Sequence, residues 1–195
     1  MAITKLVSGS LGTGVGGSLV KLSSATASGD ASVEFTTGID STYKAYVFLF
    51  TAVHPSADTD SFSVSFSTDG GSTYGLSKTA SYFRAFVDEG QTSEALGLIG
   101  AKTYGNQTHA AYLAQGVGGD ADQSFSGELW LYEPASTTYM KNFKGTFATA
   151  EASNFAIQQY VGGYINTTSA VNAVKFTFAS ANVDAGEITM YGVNQ

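Results

Sequence analysis

Cysteine is absent from the 195 residues, which removes disulfides, thiolate metal sites and a cysteine nucleophile together. Proline occurs only twice and charged residues make up 13% of the chain, against about 25% in ordinary soluble domains. Basic side chains are scarcer still. Nine Lys and Arg stand against sixteen Asp and Glu, a formal charge of −7, and Arg84 is the sole arginine. Phosphate contacts supply most nucleic-acid affinity and need such donors, so no nucleic-acid partner is expected. No apolar run approaches the roughly 18 to 20 residues that cross a bilayer. The longest, Ala45 to Val53, is of strand length, and no membrane partner is expected. Met1 to Lys5 lacks the charged and then apolar order of a secretory signal, so assembly in a cytoplasm is expected.

What is abundant is glycine, with 23 residues, and aromatic side chains at 13%. A chain of this size holds one domain with a real core. Apolar residues alternate with Ser, Thr and Lys at period two between Gly- and Asp-rich turns, which predicts strands nearly throughout. The expected strands lie near Leu19 to Leu22, Ser32 to Thr36, Tyr43 to Ala52, Ser61 to Ser67, Thr79 to Val87, Ala110 to Gln115, Ser124 to Tyr132, Thr138 to Thr149, Phe155 to Tyr164, Ala173 to Ala179 and Glu187 to Tyr191. So many strands in one small domain predict an all-β fold, an antiparallel, jelly-roll-like β-sandwich over residues 19–195. Tyr46, Phe48 and Phe50 alternate with Val47, Leu49 and Thr51. A strand apolar on both faces belongs at the centre of a sheet or under a neighbouring subunit.

Two segments depart from the pattern. Residues 1–18 are expected to form a glycine-rich N-terminal arm, because Ser8 to Gly17 is too rich in glycine to hold one backbone conformation unaided. Gly90 to His109 reads as a long connection with a short helical turn at Thr92 to Ile99, stopped by Gly100. No repeat of solenoid length is present.

Chemistry-bearing motifs are few. His54 and His109 lie far apart, outside any spaced metal motif. Each is expected to be hydrogen-bonded to its surroundings. No serine lies in a G-x-S-x-G elbow, and no acid sits in a recognisable catalytic setting, so no catalytic residue and no cofactor are expected. Asp58 with Asp60, and Asp120 with Asp122, are aspartates two apart beside glycine or turn residues. Asp120 and Asp122 are the calcium candidates, since calcium takes six to eight oxygens from flexible loops. The twelve-residue loop with its terminal glutamate is absent, and turn formation by the Asp side chains is the plainer reading. Ser67-Thr68-Asp69-Gly70-Gly71-Ser72-Thr73-Tyr74 resembles the Asp-box hairpin of sialidases and related propellers, with Tyr for Trp. It implies a tight hairpin after Phe62, Val64 and Phe66, and no activity.

Larger motifs lie in the second half. Gly116-Val117-Gly118-Gly119-Asp120, Gly127-Glu128-Leu129-Trp130-Leu131-Tyr132-Glu133-Pro134, Ser136-Thr137-Thr138-Tyr139-Met140-Lys141, Gly162-Gly163-Tyr164-Ile165-Asn166-Thr167-Thr168-Ser169-Ala170-Val171-Asn172-Ala173 and Asp184-Ala185-Gly186-Glu187-Ile188-Thr189-Met190-Tyr191-Gly192 together resemble virion structural proteins of marine bacteriophages, cyanophages included. The resemblance runs from about Lys44 to the C-terminus and carries no catalytic residues. It implies a location in the virion, as a capsid decoration protein or a tail-associated protein, with other virion proteins such as the major capsid protein as partners.

A small all-β chain with few charges also exposes strand edges or apolar patches unless it pairs with something. Self-association is therefore expected. A homotrimer is the first expectation, by analogy with jelly-roll virion proteins. The residues expected at the seams are Phe83, Phe86, Trp130, Tyr132 and Phe143. The alternative is a tail-fibre domain that binds host-surface carbohydrate through tyrosine and tryptophan faces, with Tyr43, Tyr74, Tyr82, Tyr104, Trp130, Tyr132, Tyr139 and Tyr164 as candidates.

Overall fold

Period-two alternation runs through most of the chain after Ser18, and in a computed structural model it produces thirteen strands among the described residues, all of whose named pairings are antiparallel. The structure describes residues 18–194, so the expected arm, apart from Ser18, lies outside the described residues. The strands are β1 (Leu19–Thr26), β2 (Val33–Phe35), β3 (Ala45–Pro55), β4 (Asp60–Ser67), β5 (Lys78–Asp88), β6 (Glu94–Leu98), β7 (Tyr104–Gln107), β8 (Ala111–Val117), β9 (Phe125–Tyr132), β10 (Lys141–Glu151), β11 (Phe155–Ile165), β12 (Ala173–Phe178) and β13 (Val183–Val193). One 3-10 turn, Gly100–Lys102, separates β6 from β7. No helix among the described residues is long and apolar enough to cross a membrane.

The strands form two layers. A large sheet runs β1, β13, β3, β9, β10, β11, β5, with β6 and β7 end to end along the outer edge of β5. A small sheet runs β8, β4, β12, β2. A single rung, Glu151 opposite Val117, ties β10 to β8 and brings the whole close to a barrel. A buried amide fastens the same side. Gln159 of β11 accepts from the Tyr82 hydroxyl of β5 and from the Gln115 N–H of β8 (2.5 Å), and donates to Thr149 Oγ1 of β10 (2.6 Å). The fold is the expected all-β sandwich.

The core lies between the layers. Phe48 and Phe50 of β3 meet Phe176 of β12 edge-on, at 5.3 and 5.1 Å between ring centres. Phe62 of β4 packs on Phe125 of β9 at 4.9 Å, and Phe66 on Phe143 of β10 at 5.4 Å. Rings in these offset and edge-to-face arrangements add about 0.5 to 1.5 kcal/mol per pair beyond area burial. β3 lies between β13 and β9, so its two apolar faces reflect a central position. Val47, on the outer face, is buried in a rung between Trp130 and Tyr191.

Three expectations are corrected. The helical turn at Thr92 to Ile99 is instead β6. The Asp88 carboxylate accepts from Thr92 N, Ser93 N and Thr92 Oγ1 at 2.6 to 2.8 Å, which closes a β-turn and returns the chain along β5. The Asp69 loop does not join a hairpin. Its turn is present, with Asp69 accepting from Ser67 Oγ (2.6 Å), Thr73 N (2.9 Å) and Thr73 Oγ1 (2.7 Å), and these bonds hold the Asp69 carboxyl down at about 2. However, β4 pairs with β8 and β12 whereas β5 pairs with β11, β6 and β7, so the loop crosses from one layer to the other. Thr138 to Met140, expected at the start of a strand, precede β10 in a loop whose carbonyls turn toward Lys141.

One backbone irregularity shapes the large sheet. Ala52 adopts φ of 48° where the β3 register slips against both neighbours, and Gly186 of β13 adopts φ of 107° beside it. A Cβ on Gly186 would stand 2.6 Å from the Ala52 carbonyl oxygen. Paired bulges of this kind bend a sheet and bring its ends round.

Candidate functional site: the outer face and free edge of the large sheet

Alternation assigns the outer face of the large sheet rung by rung. In β11, Val161 and Ile165 point to the core, so Tyr160, Gly162 and Tyr164 share the outer face. In β9, Leu129 and Leu131 are buried, and Trp130 and Tyr132 lie outside with rings stacked at 6.2 Å. In β5, Tyr82 is core, and Phe83, Ala85 and Val87 face out. Registers then set Leu98, Phe83 and Tyr160 in one rung, and Leu96, Ala85 and Gln158 in the next. Phe83 stacks on Tyr160 at 4.8 Å with planes 12° apart.

Strand β6 is the unusual element of this face. All five of its residues are exposed, Leu96 by 74% and Leu98 by 62%, and Phe83 beside them is 41% exposed. Among the described residues it pairs only with β5, which leaves its other backbone edge unpaired by them. The other edges carry the features that discourage pairing. β1 has a bulge at Leu22 and Lys21, 3.9 Å from Glu187. β2 is three residues long with Glu34 at its centre. β7 is short and polar. β6 has one charge, Glu94, at its start, and two exposed leucines.

The residues expected at seams separate into three groups. Phe83 lies on the exposed face. Trp130 and Tyr132 lie on the outer face, half-buried, two strands from Tyr160 and Tyr164. Phe86 is half-buried against Phe155 at 5.4 Å, with the Arg84 guanidinium 5.0 Å above its ring. Phe143 is a correction. It is only 2% exposed and packs on Phe66 inside the sandwich, because in β10 it is in phase with Phe147 and Lys141 toward the core. Leu96, Leu98 and Tyr160 are absent from the expected set. The period-two placement of Leu96, Gly97 and Leu98 was the available signal, and it is masked by the capping residues that suggest a helical turn.

The outer face dips into a groove of about 970 Å³ lined by Ala85, Phe86 and Val87 of β5 and by the ends of β9, β10 and β11. Its floor includes Ala148, Ala150 and Ala156, and Asp120 and Asp122 stand on its wall. Among the described residues, no three His, Asp or Glu side chains form a group that could hold a metal ion. The histidines have partners, as expected. His54 Nε2 is 3.2 Å from the Asp120 carbonyl and its Nδ1 is 3.7 Å from Asp184, while His109 Nδ1 is 3.1 Å from the Ala110 carbonyl and its ring meets Tyr104.

Of the tyrosines weighed for stacking, Tyr82 is buried, and burial raises its hydroxyl pKa. Tyr104 donates to the Ala110 carbonyl at 3.3 Å. Tyr74 donates to Glu34 at 2.9 Å, under the Lys175 ammonium. Tyr43 packs on Tyr46. Tyr139 is exposed in the loop before β10. Tyr132 and Tyr164 share the outer face with Trp130. No protein-family model, no curated protein and no solved structure matches this chain.

Proposed function

We propose that this chain is a non-enzymatic structural component of a bacteriophage particle, a decoration protein that binds copies of itself and other virion proteins, the major capsid protein among them. The observation that carries this reading is β6. It is a strand exposed on both faces, with an unprotected backbone edge and a leucine pair continuous with Phe83 and Tyr160. A second copy laid along that edge continues the sheet by backbone hydrogen bonds and covers Leu96, Leu98 and Phe83 in the same step. The low charge of the chain suits such burial, because few ions need to be desolvated. The sequence resemblance to marine phage virion proteins supplies the particle, and a trimer remains the first expectation for the assembly.

The particle assignment is tested by mass spectrometry of phage particles purified from the host in which this gene is expressed. Peptides of this chain should appear in fixed proportion to the major capsid protein and persist through a density gradient. Their absence from intact particles would overturn the assignment.

A further inference from the structure

Strand β6 carries a single charge, Glu94, at its start, and that exposed carboxylate makes no ion pair among the described residues. Its outer row continues that of β5: Glu94 stands beside Val87, Leu96 beside Ala85 and Leu98 beside Phe83. Opposed residues on paired strands share a face. A segment that completes this edge therefore needs a cation opposite Glu94 and, two residues along, an apolar side chain opposite Leu96.

The chain holds such a segment outside the described residues. Ile3-Thr4-Lys5-Leu6-Val7 is rich in β-branched side chains, which favour extended backbone, and Lys5 is its one charge; no Asp or Glu precedes Asp30. Set antiparallel with Lys5 opposite Glu94, the segment brings Ile3 opposite Leu96. A slip of two residues would set Lys5 against Leu96 and Val7 against Glu94 and lose both matches.

The reach of the chain decides which copy supplies the strand. β1 and β6 lie at opposite edges of the large sheet, separated by β13, β3, β9, β10, β11 and β5, or about 34 Å across. The rung of Leu19 runs through Tyr132 and that of Leu96 through Ser126, which adds about 20 Å along the strands. On a flat sheet the path is about 39 Å, and this sheet is curled close to a barrel. The stretch from Val7 to Leu19 spans at most about 43 Å when fully extended. The chain's own β6 thus lies at the limit of reach, whereas the same edge of an adjacent copy does not.

From the bare β6 edge with its lone Glu94, and a segment with its lone Lys5 that is tethered too far away to serve its own edge readily, we infer that residues 3–7 of one copy add to β6 of the next as an antiparallel strand, Lys5 opposite Glu94. This rests on the reading that β6 binds a second copy, and it names the segment that does so. Each copy gives one strand and receives one, the head-to-tail arrangement from which closed rings such as a trimer are built.

The test uses the full chain, whose lack of cysteine makes an introduced pair unambiguous. Directly opposed residues on antiparallel strands have Cα atoms about 4.5 to 5.5 Å apart, within disulfide range. A chain carrying Lys5→Cys and Glu94→Cys should therefore form disulfides between copies under mild oxidation, seen as dimers and trimers on a non-reducing gel. Lys5→Glu and Glu94→Lys should each raise the concentration of half-dissociation about tenfold, and the chain carrying both should regain the wild-type value. A disulfide closed within one copy, no disulfide at all, or assembly indifferent to the charge reversals would overturn the exchange. If the wild type is then still an oligomer that Leu96→Lys with Leu98→Lys dissociates, the β6 reading stands without the arm; a monomeric wild type removes both.

Discussion

Lys78 and Lys141 flank Ile165 in a single rung of the large sheet, and both are fully buried with no carboxylate partner among the described residues. Their ammonium groups are held by carbonyls instead. Lys141 Nζ donates to Ser136, Tyr139 and Thr167 at 2.6 to 3.2 Å, and Lys78 Nζ to Leu76 and Thr108 at 3.0 and 3.4 Å. Four loops are thereby pinned to one end of the sandwich.

Burial lowers the pKa of both lysines, that of Lys78 to about 8 from an ordinary 10.5. A lysine whose folded-state pKa is depressed keeps its proton longer in the unfolded chain, so stability rises with pH between the two values. Denaturant unfolding should show stability increasing from about pH 8 toward pH 10, by up to about 3 kcal/mol from this group. Above that, Tyr82 and Tyr104, whose pKa values burial raises, reverse the slope. Lys78→Met should flatten the rise, and an unchanged rise in that variant would contradict the assignment.

Asp60 gives a slope of the same sign at low pH. Burial alone would raise its pKa, but N–H donors from Ser180, Ala181 and Ser61 outweigh burial and hold it below the ordinary value. A depressed carboxyl contributes stability above its unfolded pKa and loses it as pH falls through the lower folded value. Asp60→Asn turns a two-oxygen acceptor into one oxygen and a donor facing N–H groups. It should cost about 1 to 3 kcal/mol at neutral pH by urea unfolding and soften the acid transition.

The two sides of the large sheet should answer differently to truncation. Phe143→Ala opens a cavity in the core and should cost about 3 to 5 kcal/mol. Phe83→Ser, on the exposed side, should change monomer stability by less than about 1 kcal/mol. Comparable losses for both would contradict the division into an inner and an outer face.

Gly186 should tolerate no side chain. At its positive φ, and with Ala52 and Val53 against it, Gly186→Ala should lower stability by about 1 to 3 kcal/mol in thermal unfolding.

Most of the fold is legible in the sequence where alternation is strong. Phe62, Val64 and Phe66 against four serines locate β4, and Val174, Phe176 and Phe178 locate β12. The order of strands is not legible, since Asp69 closes the same turn whether the chain doubles back or crosses to the other layer. Strand β6 is hidden because Thr92 and Ser93 are helix-capping residue types that here serve a β-turn held by Asp88. The buried lysines are legible only through phase: Lys78 aligns with Ala80 and Tyr82, and Lys141 with Phe143 and Phe147. Phase also places Phe143 in the core, where residue type alone suggests a seam.

The most direct test of the account is the mass in solution, by light scattering on a size-exclusion column, of the wild-type chain and of a variant carrying Leu96→Lys and Leu98→Lys. The wild type should elute as a discrete oligomer, first expected at three times the 20.2 kDa chain mass. The double variant, altered only on an exposed edge, should be a folded monomer. A wild type that stays monomeric at high concentration, or a double variant that keeps the oligomer, would contradict self-association through β6.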